Sequence, residues 1–197
     1  MTKYKFSNKL MFALVMQDEE LCAEFIQRLF PGKKVKSITF PNDIQITPEK
    51  TIVTGVLSKS VRLDVLFEGE AEVYDIEMQV ETEPELPKRS RYYHTSMDTH
   101  FLKKGNPYKD LKPSYVIFIC TFDPFGLGRH IYTFENRCSE DIALTLNDGT
   151  VKIILNTKGT LDDVSPEMKR LLDYVDGKGV SDTFTRDLEE AVQSARQ

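Results

Sequence analysis

The stretch VRLDVLFEGEAEVYDIEMQV, residues 61–80, decides the fold. Two runs rich in β-branched and aromatic residues, 61–67 and 73–80, flank a polar turn at 69–72. That pattern predicts an antiparallel hairpin. With the loop centred, Val61 faces Val80, Leu63 faces Met78, Val65 faces Ile76 and Phe67 faces Tyr74. Side chains alternate along a strand, so these eight share one apolar face. The other face receives Arg62 against Gln79, Asp64 against Glu77 and Leu66 against Asp75. A slip of one residue mixes the two faces, which supports this register.

The register makes Asp64 and Glu77 direct cross-strand neighbours, with Cβ atoms roughly 5 Å apart. Two like charges about 4 Å apart repel by about 4 kcal/mol at an intermediate effective dielectric. A cation, a shared proton or full solvent exposure must offset that. One reading is a solvated polar face on which Arg62 neutralises a carboxylate. The other is a divalent-metal site, since converging carboxylates are the oxygen ligands that Mg²⁺ and Mn²⁺ accept. Gln79, two residues after Glu77, points at the same spot.

Outward from the hairpin, residues 7–29 read as a helix, with Leu10, Leu14, Leu21, Phe25 and Leu29 near helical spacing and Pro31-Gly32 as the stop. Short β-like pieces fall at 35–40 and 51–57. Pro84 and Pro87 bracket the entry to a second helix over about 88–104, ended by Gly105. YVIFICTF, 115–122, is a continuous apolar run that suits a central strand buried on both faces. Asp123-Pro124-Phe125-Gly126 turns the chain, and HIYTF, 130–134, is a further strand. IALTL (142–146) and VKIIL (151–155) flank Asn147-Asp148-Gly149, which predicts a hairpin. Ser165-Pro166 opens a helix that runs to about Val175, and 185–197 reads as a last helix with no stop signal, as expected of a piece of a longer chain. This order of elements predicts an α/β or α+β sandwich around a mixed sheet.

A length of 197 residues suits one domain, with or without a short appendage. No run is long and apolar enough to span a bilayer, and the N-terminus lacks the plan of a signal peptide. Cys22, Cys120 and Cys138 are few, odd in number and widely spaced, which fits a reducing cytoplasm and forms no zinc pattern. The net charge of −5 argues against a protein coated in positive charge but leaves room for a local basic groove. Lys88, Arg89, Arg91, His94, His100, Lys103 and Lys104 supply one along the second helix. Arg89, Tyr93 and Met97 form an i, i+4, i+8 stripe that aims Arg89 at the carboxylates.

Asp64 followed by Glu77-Met78-Gln79 resembles the PD-(D/E)XK nuclease signature, and more closely its transposase-like branch, the recombination-promoting nucleases of bacteria. The resemblance extends through SVRLDV (60–65), YDIEMQ (74–79), LPKRSRYY (86–93), LKKGNPY (102–108), YVIFICTFDPF (115–125) and LNTKG (155–159). It implies an α/β, restriction-endonuclease-like core, a mixed β-sheet flanked by helices. A nuclease-like domain over 1–160 and a helical C-terminal extension over 161–197 are expected. It also implies cleavage of DNA with Mg²⁺ or Mn²⁺ as cofactor, Asp64 and Glu77 as metal ligands, and a catalytic position for Gln79; Arg89, aimed at them by its helix, is read beside these as the catalytic cation that steadies the phosphate. No membrane and no small-molecule organic cofactor is expected, and a homodimer is left open. The sequence departs from the superfamily at Gln79, which occupies the signature's lysine position. A neutral amide orients water through hydrogen bonds but brings no charge. Arg62, Lys88 and Arg89 are the candidates to supply the missing cation. The alternative is a catalytically decayed nuclease fold acting as a DNA-binding or protein-interaction module.

Overall fold

The computed structural model describes residues 4–41, 50–52 and 61–196, with the backbone alone described at 50–52, 61 and 62. Its centre is a five-stranded mixed sheet, flanked by five helices, of the α/β, restriction-endonuclease-like kind. The strands are β3 (Val65–Glu68), β4 (Val73–Gln79), β5 (Ser114–Cys120), β6 (Ile131–Phe134) and β7 (Thr150–Asn156), in the order β3-β4-β5-β7-β6. β3 runs antiparallel to β4, β4 and β7 run parallel to β5, and β6 is the antiparallel far edge. β5 sits in the middle, and its all-apolar sequence between Tyr115 and Cys120 follows from burial on both faces.

Alternation along the strands feeds two cores. Val65, Phe67, Tyr74, Ile76, Met78, Ile117, Ile119, Ile153 and Leu155 face α1 (Lys9–Val15), α2 (Glu19–Leu29), α4 (Pro166–Val175) and α5 (Thr183–Ala195). Leu66, Val73, Val116, Phe118 and Ile154 face the opposite way, against Leu86, Tyr93 and Met97 of α3 (Leu86–Phe101). Among the described residues, four helices thus cover one side of the sheet and one helix covers the other. Among the described residues no helix is long and apolar enough to cross a membrane.

The hairpin holds its expected register where β3 meets β4: Val65 pairs with Ile76, Leu66 with Asp75 and Phe67 with Tyr74. It does not extend to Val61. The chain bends at Asp64, and the preceding segment, β2 (Val61–Leu63), leaves β4 to pair with β1 (Lys50–Ile52) in a separate two-stranded ribbon. The expected pairs of Val61, Arg62 and Leu63 with Val80, Gln79 and Met78 are therefore absent. The bend also reverses the face that Leu63 presents, so Leu63 packs with Leu66 under α3 and not with Val65 and Phe67.

Other expectations shift for local reasons. The helix expected over 7–29 is two helices, because Asp18 accepts hydrogen bonds from Glu20 N and Leu21 N and so caps a new start. Residues 35–40 contribute only an isolated bridge, Thr39 to Glu68. Of the strand expected over 51–57, residues 53–57 lie outside the described residues. The segment 142–146 is not a strand of the sheet. It folds back through Leu146 N to Asn136 O and Cys138 N to Leu144 O, and β7 takes β6 as its antiparallel partner. Asn147 (φ 55°) and Gly149 (φ 76°) make the turn that feeds β7.

The last two helices share the main core, with Met168, Leu171, Leu172, Phe184, Leu188 and Val192 all buried in it. Leu188 is fully buried on α5, which packs on α1. Leu188→Ala is expected to lower the stability of the whole chain by about 2–5 kcal/mol in a single denaturation transition. A loss confined to a separate transition in chemical denaturation would contradict a shared core.

Candidate active site

β4 carries Asp75, Glu77 and Gln79 on the face toward α3, and the bend at Asp64 adds a third carboxylate beside them. Asp64, Asp75 and Glu77 are all 0% exposed and Gln79 is 9% exposed. This is no solvated polar face. The side chain of Arg62, a candidate to neutralise it, lies outside the described residues.

Asp64 and Glu77 exchange main-chain bonds. Asp64 N donates to Glu77 Oε1 at 2.8 Å, and Met78 N donates to Asp64 Oδ2 at 3.0 Å. Side chains here replace the ladder bonds that a continuous strand would make, which is why the strand breaks at Asp64. Hydrogen bonds to charged groups contribute about 1.5–3 kcal/mol each, so these two offset part of the repulsion between the carboxyl groups. They leave the cost of dehydration.

Two cations answer that cost. Lys9, at the start of α1, places Nζ 3.1 Å from Asp64 Oδ1. Arg89, on α3, places Nη2 3.4 Å from Glu77 Oε2. Each carboxylate thus has one oxygen fixed by a main-chain amide and the other turned to a positive charge. Arg89 is itself held. Nε and Nη2 donate to Tyr93 Oη at 3.1 and 2.9 Å, and Nη1 donates to Gln79 Oε1 at 3.0 Å and to Glu83. Its guanidinium lies over the Phe118 ring, with Cζ 5.4 Å from the centroid. Gln79 Nε2 donates to Glu81 O at 2.7 Å. The structure thus brings together all four residues singled out from the sequence: Asp64, Glu77, Gln79 and Arg89.

Sequence reasoning missed Lys9 and Asp75. Lys9 had a readable signal. It precedes Phe12, Ala13 and Met16 by three, four and seven residues, and all three are fully buried. A lysine on the apolar stripe of a helix needs an anionic partner. Asp75 was visible on the polar face of the hairpin but was paired there with Leu66 alone. The other basic residues of α3 play different parts. Lys88 and Arg91 are exposed. His94 is buried with Nδ1 2.7 Å from Ser114 Oγ, and burial, aided by Lys152, lowers its pKa to about 4, so it is neutral. Burial pushes the Cys120 thiol up to about 12, consistent with a small core residue.

Burial, then Asp64, raises Glu77 to about 8, against the opposing pull of Lys9 and Arg89. Burial, then Glu77 and Asp64, holds Asp75 well above the usual carboxylate range. For Lys9, burial works against the charged form, but Asp64 and Glu77 outweigh it and raise the ammonium's pKa.

Among the described residues no group of three or more His, Cys, Asp or Glu side chains is arranged to hold a metal ion. The two-carboxylate set nevertheless fits Mg²⁺, which keeps several waters and is commonly bound by one or two carboxylates together with substrate phosphates. Asp64 Oδ1 and Glu77 Oε2 are hard donors, and both already face positive charge.

The raised carboxyls give the metal-free protein a specific pH dependence. The folded state retains protons that the unfolded chain releases above about 4.5, so stability falls as pH rises toward about 8. Carboxylates held low, such as Asp182 bonded by Thr185, act below this window, and His94, kept neutral by burial, opposes the fall only below about 6.5. Thermal melting in EDTA is expected to show a falling Tm from roughly pH 5 to pH 8, with a shallower fall in Glu77→Gln. A Tm that rises across that window would contradict the buried-carboxyl account.

A family model, that of the PD-(D/E)XK nuclease family transposase, matches residues 2–144. The match takes in α1 with Lys9, the carboxylates of the β3–β4 hairpin and α3 with Arg89, and leaves β7, α4 and α5 beyond it. No curated protein and no solved structure matched the chain. A match over most of the chain, on residues that converge at one buried polar site, carries the conclusion that this protein belongs to the PD-(D/E)XK nuclease family transposases.

Proposed function

We propose that the protein is a metal-dependent DNA endonuclease of the transposase or recombination-promoting type, hydrolysing phosphodiester bonds. The observation that carries this reading is the pairing of Asp64 and Glu77. Each has one oxygen pinned by a backbone amide and the other, Asp64 Oδ1 or Glu77 Oε2, turned to a cation. A structural ion pair needs no second carboxylate so close by, and dehydrating two of them is costly unless positive charge is required between them.

Asp64 and Glu77 are the ligands in this proposal. Mg²⁺ or Mn²⁺ bound there supplies activation of water and neutralises charge on a phosphoryl oxygen. The carboxylates are already aligned by Met78 N and Asp64 N, so what must change is the cations that face them and the proton that burial favours on Glu77. Gln79 orients the attacking water. Its Oε1 is fixed by Arg89, and its Nε2 has a long 3.4 Å contact to Glu83 that it can exchange for water. Arg89 steadies Glu77 and Gln79 together. The exposed Lys88 and Arg91 on α3 are suited to contact the flanking DNA backbone.

The test is nicking of supercoiled plasmid in Mg²⁺, Mn²⁺ or EDTA. Cleavage is expected with either metal, to be absent in EDTA, and to fall at least roughly 100-fold in Asp64→Ala and in Glu77→Ala. Parent-like nicking by either variant would overturn the assignment. A parent protein that binds DNA without cleaving it would favour a decayed nuclease fold serving as a binding module.

A further inference from the structure

We propose that Lys9 is the phosphate-facing cation of this site, supplying from α1 the positive charge that Gln79 does not bring. The inference rests on the nuclease reading above and adds a residue to it.

The geometry separates Lys9 from Arg89. All three guanidinium nitrogens of Arg89 already donate, to Tyr93, Gln79, Glu83 and Glu77, and its side chain is 19% exposed. Arg89 is a fixed strut. The Lys9 ammonium makes its ion pair with Asp64, at the oxygen a metal would take, and its side chain is 41% exposed. It therefore stands at the mouth of the site, with solvent on one side and the carboxylates on the other.

Lys9 is also well placed by its backbone. Asn8 caps α1 by accepting from Met11 N at 3.1 Å. Phe12 lies in the core and meets Phe6 edge-on at 5.4 Å between ring centroids. A surface lysine loses much rotamer freedom on binding an anion, whereas the Lys9 head is already drawn to the site by Asp64. Its chemistry suits movement: an ammonium is a compact charge on a flexible stem with three rotatable donors.

In the resting protein Lys9 neutralises Asp64. Once Asp64 Oδ1 serves as a ligand, the ammonium turns to a non-bridging oxygen of the scissile phosphate. In the hydrolysis an oxygen from water bonds to phosphorus and gives up a proton to solvent, one P–O ester bond breaks with its electron pair leaving on oxygen, and that oxygen takes up a proton from solvent. Lys9 donates no proton and stabilises the charge that builds on phosphate.

Lys9→Met and Lys9→Arg test this against the parent in three measurements: plasmid nicking at saturating Mn²⁺, Mn²⁺ affinity by calorimetry without DNA, and thermal melting. Lys9→Met is expected to nick roughly 100-fold more slowly than the parent. It should bind Mn²⁺ as tightly or more tightly, because a competing cation is gone. Lys9→Arg, which keeps the charge, should nick faster than Lys9→Met. Nicking by Lys9→Met within about threefold of the parent overturns the proposal. So does a parallel loss of Mn²⁺ affinity, which would make Lys9 a mere prop for Asp64, and so do equal rates for the two variants. A parent that does not nick overturns the nuclease reading and this role with it, a result distinct from failure of Lys9 alone.

Discussion

The structure turns on the exchange between Asp64 and β4, in which Asp64 N–H donates to Glu77 and Met78 N–H donates to Asp64. Two side chains take the place of strand-to-strand bonds at the point where the hairpin would otherwise continue. The bend that results sends β2 away to β1 and turns Leu63 toward α3. It also sets two carboxylates side by side, each immobilised through one oxygen. The interruption of the sheet and the formation of the site are one event.

Everything around the pair answers its charge. Asp75 adds a third buried carboxyl, and among the described residues Lys9 and Arg89 supply positive charge. Burial and the neighbouring carboxylates favour the protonated forms of Asp75 and Glu77, which lowers the charge the cluster must hold. A buried ionic cluster of this kind is a weak source of stability and a strong determinant of arrangement. It also ties distant parts of the chain together. α1 brings Lys9 across the apolar face of the sheet and packs on α5, while α3 brings Arg89 from the opposite face. The C-terminal helices, outside the span of the family match, thus support the element that carries Lys9.

Much of this was legible in the sequence where the controlling interactions are local or periodic. Alternation of apolar residues set the register of Val65, Leu66 and Phe67 against Ile76, Asp75 and Tyr74, and so the adjacency of Asp64 and Glu77. The i, i+4 spacing of Arg89 and Tyr93 placed the guanidinium on the inner face of α3. The bend at Asp64 was not legible, because alternation continues through it and only the side-chain exchange breaks it. Lys9 was legible as a lysine on a buried helical stripe, but its partner was not. A helical stripe reveals which face is buried, not which strand it lies over. The IALTL segment misled because its period is that of a strand, while β6 had already taken the place beside β7.

In the proposed function Asp64 and Glu77 would hold a divalent cation, and Lys9 pairs with Asp64 in the metal's absence. A crystal grown without metal and then soaked in Mn²⁺ tests this directly through anomalous scattering. The account predicts one peak within coordination distance of Asp64 Oδ1 and Glu77 Oε2, with the Lys9 ammonium displaced from its 3.1 Å contact. A crystal that takes up Mn²⁺ elsewhere, with Lys9 still seated on Asp64, would contradict it.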